Sequence, residues 1–171
     1  MDFAVSKLVN GPACESLSCR IQGNRAYCHP DNYKGRTIVL FHNNGNGTFT
    51  DVSEKSAVAA PEAKGMGTVT VDLTNDEWPD IMQANGAILD NIHMYQSEVS
   101  YMEEKLMFRN LGKAKFDKVS EQLGTDFMMK TADRGLAVGD FDNDGDMDAA
   151  IVDREDHIQR YATTAATPTT G

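Results

Sequence analysis

The sequence predicts an all-β chain: tandem four-stranded antiparallel blades of a partial β-propeller, with one inserted amphipathic helix. Two observations carry this reading. First, the chain repeats itself. Phe41, Asn43, Gly45, Phe49, Val52, Ser53 and Glu54 recur as Phe108, Asn110, Gly112, Phe116, Val119, Ser120 and Glu121 at an offset of 67. Gly67, Asp72, Asp76 and Asp80 recur as Gly135, Asp140, Asp144 and Asp148 at an offset of 68, a register that chance does not readily produce. Second, each copy consists of short apolar or alternating runs bounded by Gly, Asn and Asp, which is the patterning of strands and turns.

Along the chain, a remnant of a blade occupies about residues 1–30, a blade about 35–90, the helix insertion about 91–104 and a second blade about 105–156. The opening Met1-Asp2-Phe3-Ala4-Val5-Ser6 aligns with Met147-Asp148-Ala149-Ala150-Ile151-Val152. Asp2 would then be the last residue of a third acidic loop, and the chain is expected to begin inside a repeat, either as a fragment of a larger protein or as a reading frame opened at an internal methionine. Cys19 and Cys28 flank a segment in which Gly23-Asn24 can turn a hairpin; a disulfide there would suit an oxidising compartment, with Cys14 left over. In each full copy an apolar strand (37–41; 105–108) enters an Asn/Gly-rich turn. A second, alternating strand follows (48–52; 115–119), then a loop, a third strand ending in an acidic loop, and a fourth strand leaving it. Four short antiparallel strands are the unit of a propeller blade.

Between the copies, Ile92, Tyr95, Val99, Met102 and Leu106 fall on one helical face, predicting an amphipathic helix laid on a blade edge. Residues 161–171 are small and polar without periodicity and read as a disordered Thr/Ala-rich tail. Asn46-Gly47-Thr48 fits the acceptor triplet for N-glycosylation, although its place in an Asn/Gly turn accounts for it without a glycan.

The chemistry concentrates in Asp140-Phe141-Asp142-Asn143-Asp144-Gly145-Asp146-Met147-Asp148. Carboxylates stand at loop positions one, three, five, seven and nine, with glycine at six. That spacing suits a hard cation, because calcium takes six to eight oxygen ligands and a curled loop can turn alternate side chains inward. Asp140, Asp142, Asp144 and Asp148 are the expected side-chain ligands, and Asp146 contributes its carbonyl. Position twelve is Ile151 rather than a bidentate Glu, and both flanks are apolar strands, so the loop is not an EF-hand. The first copy of the loop is degenerate. Asp72, Asp76 and Asp80 remain, but Thr74 replaces the acid at position three and Glu77 the glycine at six, predicting a weak or vacant site. The histidines show no paired zinc-ligand spacing.

These elements resemble FG-GAP repeats of the VCBS type, also found in integrin α-chain propellers. Three features carry the resemblance: the Phe-x-Asn-x-Gly hairpin ending in Val-Ser-Glu, the glycine before the third strand, and the acidic loop. The segment from Cys19 to Cys28, followed by His29-Pro30, is further similar to secreted proteins carrying the ASPIC/UnbV module. The resemblance covers about residues 15–156. It implies a calcium site at Asp140, Asp142, Asp144, Asp146 and Asp148, and a binding module for extracellular or periplasmic protein or carbohydrate partners.

A net charge of −10 argues against nucleic acid or an anionic membrane as partner. No run of eighteen apolar residues is present to span a membrane, and the N-terminus lacks the basic start and apolar stretch of a signal peptide. No nucleophile elbow or phosphate-binding glycine loop is present, so an enzyme is not expected. The alternative is a supporting domain of a secreted or periplasmic hydrolase or lyase, with Glu103-Glu104 and Asp153/Glu155/Asp156 as acid–base candidates that otherwise read as solvated surface. Open blade edges leave self-association possible in principle.

Overall fold

The computed structural model describes residues 2–7, 19–21, 23–26, 35–59, 63–91, 100–155 and 157–162. Twelve strands fall within them. β1 (Phe3–Lys7), β4 (Arg36–Asn43) and β5 (Phe49–Asp51) form one antiparallel sheet, and β2 (Cys19–Ile21) and β3 (Asn24–Ala26) a hairpin. β6 (Gly65–Val71), β7 (Asp80–Asn85), β8 (Leu106–Asn110) and β9 (Phe116–Lys118) form a four-stranded sheet. β10 (Asp133–Gly139), β11 (Asp148–Asp153) and β12 (Ile158–Tyr161) form the last. Among the described residues, helix is confined to a 3-10 turn at Ser120–Leu123 and the single turn α1 at Thr125–Met128.

The sheets are phased half a unit away from the sequence repeats. The first two strands of a sequence unit hydrogen-bond to the last two of the preceding unit: Ile81 pairs with Phe108, as Phe3 pairs with Phe41 and Ala149 with Tyr161. The blade is therefore 65–118, where the repeat boundaries had placed blades at about 35–90 and 105–156. Periodicity in sequence gives the period but not the point at which one sheet ends, since that depends on which strands pair.

Two cores lie on the two faces of the central sheet. Ile38, Leu40, Val58, Ile81, Leu106, Phe108 and Phe116 fill one; Met82, Ala84, Met107, Val119, Phe127, Ala149 and Ile151 fill the other. Alternate residues of a strand point to opposite faces, so Ile81 and Met82, or Phe108 and Met107, serve different cores. This is why β7 and β8 carry adjacent apolar residues, Ile81-Met82 and Leu106-Met107-Phe108, rather than a strict alternation. Phe116 is 8% exposed inside the first core, whereas its counterpart Phe49 on β5, at the outer edge of the first sheet, is 44% exposed.

Each motif residue has a bond that is made twice. The Asn of Phe-x-Asn-x-Gly accepts the glycine N–H at 2.9 Å in both hairpins (Asn43 from Gly45, Asn110 from Gly112). The Ser of Val-Ser-Glu accepts a strand N–H, Ser53 from Leu40 at 3.0 Å and Ser120 from Met107 at 2.9 Å. The glycine before the third strand follows a β-bulge in both copies, between Gly65 and Gly67 and between Asp133 and Gly135. A side chain at Gly67 would bring its Cβ within 3.2 Å of the Leu136 Cβ, so glycine lets β6 and β10 approach.

Several sequence expectations need correction or fall outside the described residues. The core of the expected helix, 92–99, lies outside them; residues 100–104 are bends and an isolated bridge, Glu103 pairing with Thr131. Leu106 opens β8, so its helical phase with Ile92 was coincidental. The 86–91 and 100–104 segments are pinned instead by Tyr101, whose ring lies under the guanidinium groups of Arg134 and Arg154 at 5.7 and 5.9 Å. Arg134 also donates to the Ala87 carbonyl at 2.8 Å. The expected tail begins too early, because Tyr161 belongs to β12 and packs edge-on against Phe127 at 5.2 Å. Residues 163–171 of the tail, Cys14 and Cys28 lie outside the described residues. The hairpin between Cys19 and Cys28 is present, pairing Cys19 with Ala26 around Gly23.

A candidate metal centre at the acidic loops

The loop 140–148 joins β10 to β11 as a tight hairpin, and its own carboxylates shape it. Asp140 accepts the N–H groups of Asp144 and Gly145 at 3.2 and 3.1 Å. Asp142 accepts from Asp144 at 3.2 Å, Asp144 from Asp146 at 2.9 Å, and Asp148 from Phe141 at 3.0 Å. Asn143 and Gly145 take positive φ, 62° and 96°, so positions four and six both turn left-handed. Only the second had a glycine to announce it.

This path brings ligand oxygens of Asp140, Asp142 and Asp148 within 4.8 Å of one another. Asp144 is not in that cluster; its carboxylate is exposed and occupied with the Asp146 N–H. Loss of solvation in the loop, then the neighbouring Asp144 and Asp148 charges, hold Asp142 above its ordinary carboxylate value. Asp146 is half-buried, and its Oδ2 is a buried oxygen with no hydrogen-bond partner. Buried oxygens seldom go unpaired. The donor set is all hard oxygen, so the residues fit a calcium-class cation.

The degenerate loop follows the same backbone path without the same chemistry. Asp72 accepts from Asp76 and Glu77 at 3.2 and 2.8 Å, Asp76 from Trp78 at 3.0 Å, and Asp80 from Leu73 at 3.0 Å. Asn75 and Glu77 carry φ of 55° and 70°. Thr74 brings a hydroxyl toward Asp80, favouring its ionised form, in place of a third carboxylate. Trp78, 51% exposed, stands where Asp146 stands in the other loop. Asp72, Asp76 and Asp80 form no cluster comparable to Asp140, Asp142 and Asp148 among the described residues.

In two places the last acid of such a loop does a further job that loop spacing did not reveal. Asp80 is fully buried, and its second oxygen accepts the Asn110 N–H at 2.8 Å, tying the loop to β8. Asp2 does the same for Asn43 at 2.9 Å, with His42 beside it at 3.1 Å. The alignment of the first six residues with 147–152 thus has a structural counterpart. Of the acid–base candidates, Glu155 is solvated surface and Glu104 partly so, whereas Glu103 and Asp153 are engaged within the fold. Glu103 accepts the Lys64 N–H at 2.7 Å, and nearly buried Asp153 accepts from Glu155 and His157 at 2.8 and 3.1 Å; Asp156 lies outside the described residues. No described helix is long and apolar enough to cross a membrane.

Residues 27–82 match the family model of the FG-GAP-like repeat. Over 118 residues, 69% of this chain, the sequence is 30% identical to cartilage acidic protein 1 of Mus musculus and 29% identical to that of Homo sapiens. The chain spans 16% and 15% of the length of these curated relatives.

Proposed function

We propose, from the FG-GAP-like repeat that this chain carries, that it is a calcium-binding module of β-propeller type serving extracellular protein or carbohydrate interaction. The observation that supports this reading best is the approach of Asp140, Asp142 and Asp148 within 4.8 Å of one another, beside the unpartnered buried oxygen of Asp146. Bound calcium would supply positive charge and fix the loop. Asp140, Asp142, Asp148 and the Asp146 group would hold it, with Asp144 close enough in sequence to turn inward. Carboxylates this close repel one another, so a cation converts binding free energy into stability of the β10–β11 hairpin.

In this reading the chain binds rather than catalyses. Its acidic-loop end presents aromatic and aliphatic side chains to solvent: Trp78 against the Gly112 turn, and Phe141 and Leu111. Such side chains supply contact area for a protein or a sugar ring, and calcium would hold Phe141 in place. Calorimetric titration of the full chain tests the reading. One calcium site per chain, lost in Asp140→Asn, is expected; a silent titration of the wild type overturns it.

A further inference from the structure

We propose that Asn46 is an N-glycan acceptor, a reading that rests on the extracellular placement above. Asn46-Gly47-Thr48 is the one Asn-x-Ser/Thr triplet in the sequence, and it forms the tip of the β4–β5 hairpin, where residues 44–50 are all exposed. The turn chemistry that could explain Asn46 without a glycan uses only half of its amide. Oδ1 accepts the Thr48 N–H at 3.1 Å and the Thr48 hydroxyl at 2.6 Å, and Nδ2 makes no hydrogen bond among the described residues. Its neighbour Asn44 is the contrast: its Nδ2 donates to the hydroxyls of Thr48 and Thr50 at 2.9 and 3.0 Å.

The hydroxyl bond to Oδ1 draws charge toward the oxygen and makes Nδ2 readier to lose a proton, which suits it as the nucleophile. The equivalent β8–β9 hairpin closes with Lys113 at the position of Asn46, and both turns make the same backbone bond, Asn44 to Thr48 at 3.0 Å and Leu111 to Lys115 at 2.8 Å. The two hairpin turns differ in backbone at this position, since Lys113 takes φ 53° and Asn46 stays out of the left-handed region. In the transfer, Asn46 Nδ2 bonds to the anomeric carbon of a polyprenyl-diphosphate-linked oligosaccharide. The bond from that carbon to the diphosphate breaks, polyprenyl diphosphate leaves, and the amide gives up one proton. The sugar would stand beside β5, an outer edge strand exposed along its length, and would block its pairing with another chain.

The test is secretion of the full chain from a eukaryotic host behind an added leader, followed by amidase deglycosylation in oxygen-18 water. The expected result is a mobility shift on deglycosylation and heavy-oxygen aspartate at residue 46, retained in Thr48→Ser and lost in Asn46→Gln and Thr48→Val. Should the chain not leave the host, translation into microsomes gives the same shift. Unmodified Asn46, or light aspartate from spontaneous deamidation alone, overturns the proposal. Calcium titration of the same material reports separately on the module reading, so either can fail without the other.

Discussion

Asp80 and Asp2 occupy the same place in their loops and differ in burial, which separates what one carboxylate contributes to the fold. Asp80 is fully buried and accepts from Leu73 and Asn110; its removal leaves two donors without partners. Asp80→Ala is expected to cost about 2–4 kcal/mol in urea unfolding, and Asp2→Ala, at an exposed site, about 1 kcal/mol or less. Equal costs would contradict the role given to Asp80. Glu77 sits at φ 70°, where a Cβ is strained. Glu77→Gly should therefore stabilise by about 1 kcal/mol, read as a higher denaturation midpoint; combined with Thr74→Asp it should create a second calcium response. Tyr161 gives a pH dependence. Burial first, then the charges of Asp133 and Asp126, push its phenol from 10.0 up to about 12. A raised folded-state value means its contribution is complete below 10 and is lost as pH rises toward 12, because the unfolded chain gives up the proton first. Tyr161→Phe should flatten that alkaline loss; an unchanged profile would show that the phenol is not responsible. Glu77 was legible from sequence because glycine stands at its counterpart. Asn75 and Asn143 were not, since asparagine enters the left-handed region without a glycine to mark it.

At the scale of elements, the hairpins and the acidic loops were the legible part, because their residues act locally: Asn43 caps its own turn, and Asp140 bonds four and five residues ahead. Long-range partners were hidden. Met102 and Leu106 share a helical phase with Ile92, yet residue 103 pairs with Thr131 and Tyr101 is held by two arginines from later in the chain. The periodicity has no means of registering such contacts. Strand β12 escaped notice because four residues with one exposed isoleucine carry too little pattern. The arginine clamp makes a prediction at this scale. Tyr101→Ala should leave the strands of the central sheet protected while hydrogen exchange speeds up in the 86–91 and 100–104 segments; unchanged exchange there would show that Tyr101 does not anchor them.

The whole molecule is a stack in which the central sheet borrows strands from both sequence units, so its two cores cannot be assigned one to each repeat. Phe108 in one core and Met107 in the other are neighbours on β8, and loss of the β10–β11 hairpin would expose the second core while leaving the first covered. In the proposed function, the acidic loop that closes this hairpin would therefore link cation binding to the stability of the stack. The measurement that tests this most directly is thermal unfolding of the full chain in calcium and in chelator, beside Asp140→Asn. With calcium at about a hundred times its Kd, the wild type should melt about 5–10 °C higher than in chelator, and the variant at one temperature in both. Coincident wild-type curves would contradict the account, leaving Asp140, Asp142 and Asp148 as an acidic turn that its own backbone bonds hold together.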